Sequence, residues 1–255
     1  MKNLFKAFIV RDIAVERTYK FNFVIKMFSA AIQLSIFYFL SVYLSKPGYF
    51  PFVLVGLMFS RFFQFCVSAF SDAVRQEQYW GTMESLLLYP GTAVKMFFSA
   101  AMAKGIFLIL ELLFYLAAAL LVFKLNLFGN IVLFAPYFIS NGVMFLGFGL
   151  MSAAFILYFK KGDPVNWLLT SALDLLSGVY FSVDILPRSV ARISKFLPTT
   201  PALNSWREIL LTGSFPGAAG FFLQLFASML VFAAGVMVFN YSVREVRRRG
   251  DLGTY

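Results

Sequence analysis

The sequence predicts an all-α polytopic membrane protein with six transmembrane helices. Three observations carry that reading. Sixty per cent of the 255 residues are hydrophobic and 13 per cent charged, with a mean hydropathy of +0.79. So few charges could not cover the surface of a soluble domain of this size. Six apolar stretches, roughly 22–44, 50–72, 96–122, 130–159, 164–182 and 217–240, approach or exceed the ~20 residues that a helix needs to cross the hydrocarbon. None alternates polar and apolar residues as a barrel strand would, and backbone groups in lipid must be satisfied within the segment, which selects helices.

Residues 1–20 place Leu4, Phe5, Phe8 and Ile9 at helical spacing among lysines and arginines. An interface helix lying along the membrane surface is expected there, against the plainer reading of a charged tail. No small-x-small cleavage site follows a short apolar core, so the first span is expected to act as its own insertion signal. Lys2, Lys6, Arg11, Arg17, Lys20, Lys26, Arg75, Lys95, Lys160, Lys161, Arg244, Arg247, Arg248 and Arg249 fall on one side of a six-span chain. Lys46, Lys124, Arg188, Arg192, Lys195 and Arg207 fall on the other. Fourteen against six predicts both termini in the cytoplasm of a cell (inner) membrane protein. The net charge of +10 is then an orientation signal and a contact for anionic lipid, not a nucleic-acid site.

The second and third spans are separated by a polar element, residues 75–90, of the form Glu77-x-x-x-Gly81-Thr82-x-Glu84-x-x-Leu87-x-x-Pro90. Tyr79, Trp80, Met83, Leu86 and Leu87 share one face at helical spacing, with Glu77 and Glu84 beside it. Gly81 is expected to keep the middle of this helix slim, at about 1 kcal/mol of propensity, and Pro90 to end it. An aromatic knob flanked by acids suits a protein groove. Anionic head groups would repel those acids, which argues against a helix merely resting on lipid.

In the fourth span, Gly142, Gly147 and Gly149 read as close helix packing and Pro136 as a bend. The connection 183–216 begins with Asp184-Ile185-Leu186-Pro187 and is broken by Pro198-Thr199-Thr200-Pro201. Its pieces, 188–196 and 202–211, are too short to span and are expected as external interfacial or re-entrant helices.

Arg61, Lys104, Glu111 and Asp174 lie inside spans, where ionisable groups are functional candidates and are paired. Arg61, Glu111 and Asp174 fall near mid-depth, so Arg61 is expected to pair with Glu111 or Asp174. Lys104 is nearer one face and within reach of it by snorkelling. A structural ion pair outweighs substrate contact as the reading. The lone cysteine, Cys66, precludes an intramolecular disulfide. With no histidine in the chain, Ser-His-Asp and Cys-His catalysis and histidine metal sites are excluded. No P-loop is present.

The chain resembles the membrane-spanning permeases of type-2 ABC exporters. The resemblance rests on the Glu77…Gly81-Thr82-Met83-Glu84…Pro90 element, on 177–187 (Ser-Gly-Val-Tyr-Phe-Ser-Val-Asp-Ile-Leu-Pro), and on Leu197-Pro198-Thr199-Thr200-Pro201…Trp206-Arg207-Glu208-Ile209-Leu210-Leu211-Thr212-Gly213. It implies a half-transporter that pairs with a second copy or a sister chain around a path. It also implies a separate cytosolic ATPase, holding the ATP and Mg that this chain does not bind. That ATPase would dock on a coupling helix, 75–90, through Glu77, Trp80, Gly81, Thr82, Glu84 and Pro90. Asp184, Pro187, Leu197, Pro198 and Pro201 would form the outer gate. Gln78-Tyr79-Trp80 departs from the charged residues common before Gly-Thr in that family. Competing readings are an ion-coupled carrier using Glu111 and Asp174, and a membrane-embedded enzyme or assembly factor. Glycan, drug, lipid and peptide all stay open as cargo.

Overall fold

In a computed structural model, the protein is described at residues 6, 10–11, 13–14, 20–82, 92–124, 131–159 and 163–249. These residues form helices α1 (Lys20–Tyr43), α2 (Tyr49–Tyr79), α3 (Thr92–Ala117, extended by a π turn at Ala118–Val122) and α4 (Ile131–Phe159). They are followed by α5 (Asp163–Leu176), α6 (Arg188–Phe196), α7 (Thr199–Arg207, extended by a π turn at Glu208–Thr212) and α8 (Ala218–Arg249). No strand occurs among the described residues.

Helix α2 is the centre of the bundle. Its window of highest hydropathy is 72% buried, because α3, α4, α5 and α7 all pack on it. Helix α4 lies between α2 and α8, and the glycines of α4 explain how closely. A Cβ on Gly147 would stand 2.7 Å from the Val231 carbonyl oxygen of α8, and one on Gly149 would collide with the Cys66 carbonyl of α2. The expected close packing therefore holds, at backbone-to-backbone distance. Helices α2 and α4 run parallel, with Phe62 beside Gly142 and Cys66 beside Gly149. Arg11 contacts Glu77 and the last turns of α8 lie beside α4 through Ser242 and Ala154, so Arg11 and the last turns of α8 sit at the same end of the bundle.

Among the described residues five helices are long and apolar enough to cross a membrane: Val24–Tyr43, Tyr49–Tyr79, Lys104–Val122, Val132–Phe159 and Ala218–Val246. The chain is thus a multi-pass membrane protein. The expected fifth span, 164–182, is shorter than predicted. Helix α5 has 14 residues, about 21 Å at 1.5 Å per residue, and leaves the helical path at Ser177-Gly178, where Gly178 takes φ +78°. That left-handed conformation is open to glycine and costly to others. Helix α5 still reverses the chain along α2: Asn166 bonds Ser71, Asp174 bonds Ser60, and Val179 packs on Gly56. The segment after it inserts Trp206, fully buried, into an aromatic cluster. The indole stacks on Phe62 and Phe138 at 5.8 and 5.7 Å and meets Phe59 and Phe134 edge-on.

Candidate functional sites at the two ends and the middle of the bundle

The first site lies at the end of α2. The helix runs through Tyr79 and closes with Trp80, Gly81 and Thr82 donating to the carbonyls of Gln76, Gln78 and Glu77. Gly81 takes φ +69° with open space around it. Backbone conformation alone asks for glycine here, as in a left-handed helix end. Gly81 therefore stops a helix instead of slimming the middle of one, and residues 75–79 belong to α2. Glu77, 3% exposed, is gripped from two sides. Arg11 Nη1 donates to its Oε1 at 3.2 Å, and Thr82 Oγ1 donates to its Oε2 at 2.5 Å. The Arg11 guanidinium also lies 5.5 Å from the centre of the Trp80 ring. Tyr79 (87% exposed) and Trp80 project from this end. Glu84 and Pro90 lie outside the described residues, as does most of the interface segment 1–20.

The second site is inside the bundle. Of the two carboxylates expected near Arg61, Glu111 is its partner, with Nε 3.5 Å from Oε1. Arg61 also donates to Tyr115 Oη at 3.3 Å and to Gln33 Oε1 at 3.0 Å. Asp174 instead accepts from Ser60 at 2.6 Å and Gln64 at 3.0 Å. Lys104 does not stand alone near one face: its Nζ is 4.0 Å from Asp72, which also accepts from Arg75 at 2.5 Å. Of these groups Arg61, Gln64, Asp72, Lys104 and Glu111 border a cavity of about 540 Å³ between α1, α2 and α3. Asp72, Gln33 and Tyr115 were not among the expected residues. A signal for part of this set exists, since Ser60, Gln64, Ser68 and Asp72 recur every fourth residue of α2 and mark one polar stripe.

The third site joins the far ends of α2 and α5. Asp184 Oδ1 lies 3.2 Å from Lys195 Nζ, and Lys195 together with Ser182 holds its carboxyl below the usual carboxylate range. Pro187 caps α6 and Pro198 caps α7. Leu197, between α6 and α7, accepts the Thr200 N–H at 3.1 Å. Pro201 lies in the first turn of α7, where the missing N–H costs nothing, and its carbonyl accepts from Ser205 at 3.0 Å. Thr200 Oγ1 donates to the Ser194 carbonyl at 2.6 Å and so ties α7 to α6. Sequence reasoning missed Arg207 as anything beyond an external charge. Its Nη2 donates to the carbonyls of Gly178 (2.8 Å) and Val179 (3.0 Å) and its Nε to that of Phe52 (3.3 Å). The guanidinium also stacks 3.4 Å from the Phe52 ring centre. Arg207 thus clasps the C-terminal end of α5, which favours a cation, to the first turn of α2. It lies outside the spanning helices, and burial pushes it down to about 9, still charged at neutral pH.

The family model described as ABC-2 type transporter matches residues 3–211 of the chain. Among curated proteins none matches.

Proposed function

The chain belongs to the ABC-2 type transporter family, and it is a membrane-spanning transport subunit; from that premise we propose that it is half of an ATP-driven exporter. A second copy or a sister permease completes the path. Members of the family typically work with a cytosolic ATPase. Here that ATPase docks on the 75–90 element and holds the ATP and Mg, so this chain hydrolyses nothing itself. Both termini are cytoplasmic in the cell membrane, which fits the basic residues 244 and 247–249 that follow the last span.

One observation carries this reading: the end of α2 is a held structure presenting an aromatic surface. Glu77 is fastened by Arg11 and Thr82, while Tyr79 and Trp80 stay exposed. A lipid-facing turn has no use for a buried carboxylate fixed by two donors. A protein partner that pushes on this end does. ATP binding draws the two ATPases together, and the movement biases which side of the path is open. Glu77, Trp80, Gly81, Thr82, Glu84 and Pro90 transmit it. The clasp between Asp184, Pro187 and the turn from Leu197 to Pro201 closes the outer side.

Affinity purification from native membranes in mild detergent, with mass spectrometry of the proteins retained, tests the reading. A stoichiometric P-loop ATPase that is lost on Trp80→Ala or Glu84→Lys supports it. A folded chain that retains no ATPase sinks it. Asp174 has no cation within salt-bridge distance among the described residues, which favours an ion-coupled carrier as the second reading. Transport that persists without ATP and collapses with the proton gradient would establish that alternative.

A further inference from the structure

Helix α6 has three different faces. Ser194, fully buried, turns to the bundle, where the Thr200 hydroxyl reaches its carbonyl at 2.6 Å. Arg188, Arg192 and Lys195, spaced by four and three residues, form an exposed basic stripe. Ile193 and Phe196 form a second exposed stripe beside it, and Phe196 is 85% exposed. Ile185, just before the helix, is exposed as well. A helix wholly in water gains nothing from showing three large apolar side chains together. One wholly in hydrocarbon does not carry unpaired arginines. Bundle on one side, water on the second and hydrocarbon on the third are the surroundings of a helix at the boundary of a bilayer.

The depth agrees. The turn between α6 and α7 is tied to the end of α5, where the hydroxyls of Ser177 and Thr199 are 2.5 Å apart. Ser177 lies between Asp174, which bonds Ser60, and Val179, which packs on Gly56. The turn therefore sits beside residues 56–60 of α2, roughly 10–17 Å along that helix from Tyr49. Phe196 is exposed within the length over which α2 crosses the membrane.

The charges are unequal. Lys195 reaches Asp184 at 3.2 Å, whereas Arg188 and Arg192 have no ion pair among the described residues. From 183 to 197 Asp184 is the one carboxylate against three cations. Two positive charges are thus in surplus along the polar edge of the helix.

We propose that α6 is seated in the bilayer leaflet at the end of the bundle away from Glu77 and there binds anionic phospholipid. Ile193 and Phe196 enter the acyl layer. Arg188 and Arg192 take the phosphodiester groups through charge-assisted hydrogen bonds. Because α6 joins Pro187 to Leu197, a leaflet that holds the helix also holds both sides of the outer clasp. That consequence for gating rests on the exporter reading, and the binding does not.

The test uses the full chain reconstituted in vesicles, with a bimane label on Phe196→Cys; Cys66 is buried and leaves the introduced thiol to react. Phosphatidylglycerol with brominated chains is mixed into unbrominated phosphatidylcholine, and the reverse, so that quenching at equal fractions gives the local preference. Both brominated lipids are expected to quench, phosphatidylglycerol more strongly. Arg188→Gln and Arg192→Gln should each lower that preference about fivefold, the effect of roughly one basic residue at a charged surface. Both arginines are exposed, so these variants should melt with the parent chain. Arg244→Gln, exposed on α8 at the opposite end, should leave the preference unchanged. A label that brominated chains do not quench overturns the proposal: α6 is then in water if iodide quenches it, or against a second copy if neither does. Equal quenching by the two lipids also overturns it, as does a preference insensitive to both arginine substitutions. So does a preference abolished by inorganic phosphate at constant ionic strength, which would mark a free-anion site. All of these outcomes leave ATPase co-purification, and with it the exporter reading, untouched.

Discussion

Arg207→Met should loosen the outer end of the bundle. The substitution keeps most of the volume and removes three donated hydrogen bonds together with the stacking on Phe52. A hydrogen bond from a charged donor contributes about 1.5–3 kcal/mol net. The two bonds at 2.8 and 3.0 Å dominate, since the third is long at 3.3 Å. Against them stands the relief of a guanidinium whose burial is enough to push it down to about 9. The low end of the range, about 3 kcal/mol of destabilisation, is therefore expected. At roughly 2–4 °C per kcal/mol for a chain of this size, thermal unfolding in detergent should move down by on the order of 10 °C. Arg207→Lys keeps the charge but loses the fork that reaches several carbonyls, and should recover at most half of the shift. A methionine variant that melts within ~2 °C of the parent chain, or a lysine variant that is fully restored, would refute the clasp.

Gly147→Leu forces a side chain against the α8 backbone, which cannot yield, and should cost about 3 kcal/mol or more; Gly220→Ala, where nothing stands within 4 Å, should be neutral or slightly stabilising in the same melting assay. Arg61→Met and Glu111→Leu, measured singly and together, should show a coupling of about 1 kcal/mol, and a cycle that closes at zero would mean that the 3.5 Å contact does not hold the helices together. Because Lys195 and Ser182 lower Asp184, its contribution is present above the usual carboxylate range and lost as pH falls through the lowered value. Acidification should thus speed amide exchange in α6, and Asp184→Asn should remove that pH dependence.

The long helices were legible because membrane spans announce themselves by length and apolarity, and α4 announced its packing through three glycines. The fifth span was misjudged for a physical reason. Its apolar run continues past Leu176, but hydropathy is blind to the Gly178 conformation that ends the helix. The same blindness put Gly81 inside a helix that it ends. Counting residues from the helix ends placed Arg61, Glu111 and Asp174 at a common height. Height does not give direction around a helix axis, so the choice between Glu111 and Asp174 had to come from the fold. Arg207 left no trace in the sequence because its partners are carbonyls, which every residue has.

From Leu57 to Tyr79, α2 contains neither glycine nor proline, and its 31 residues extend about 46 Å. Arg207 grips one end of this rod and Arg11 the other. On the proposed function, a push delivered beside Trp80 would travel along this stretch as displacement and not as bending, so that opening at one face and loading at the other would be two readings of a single stroke.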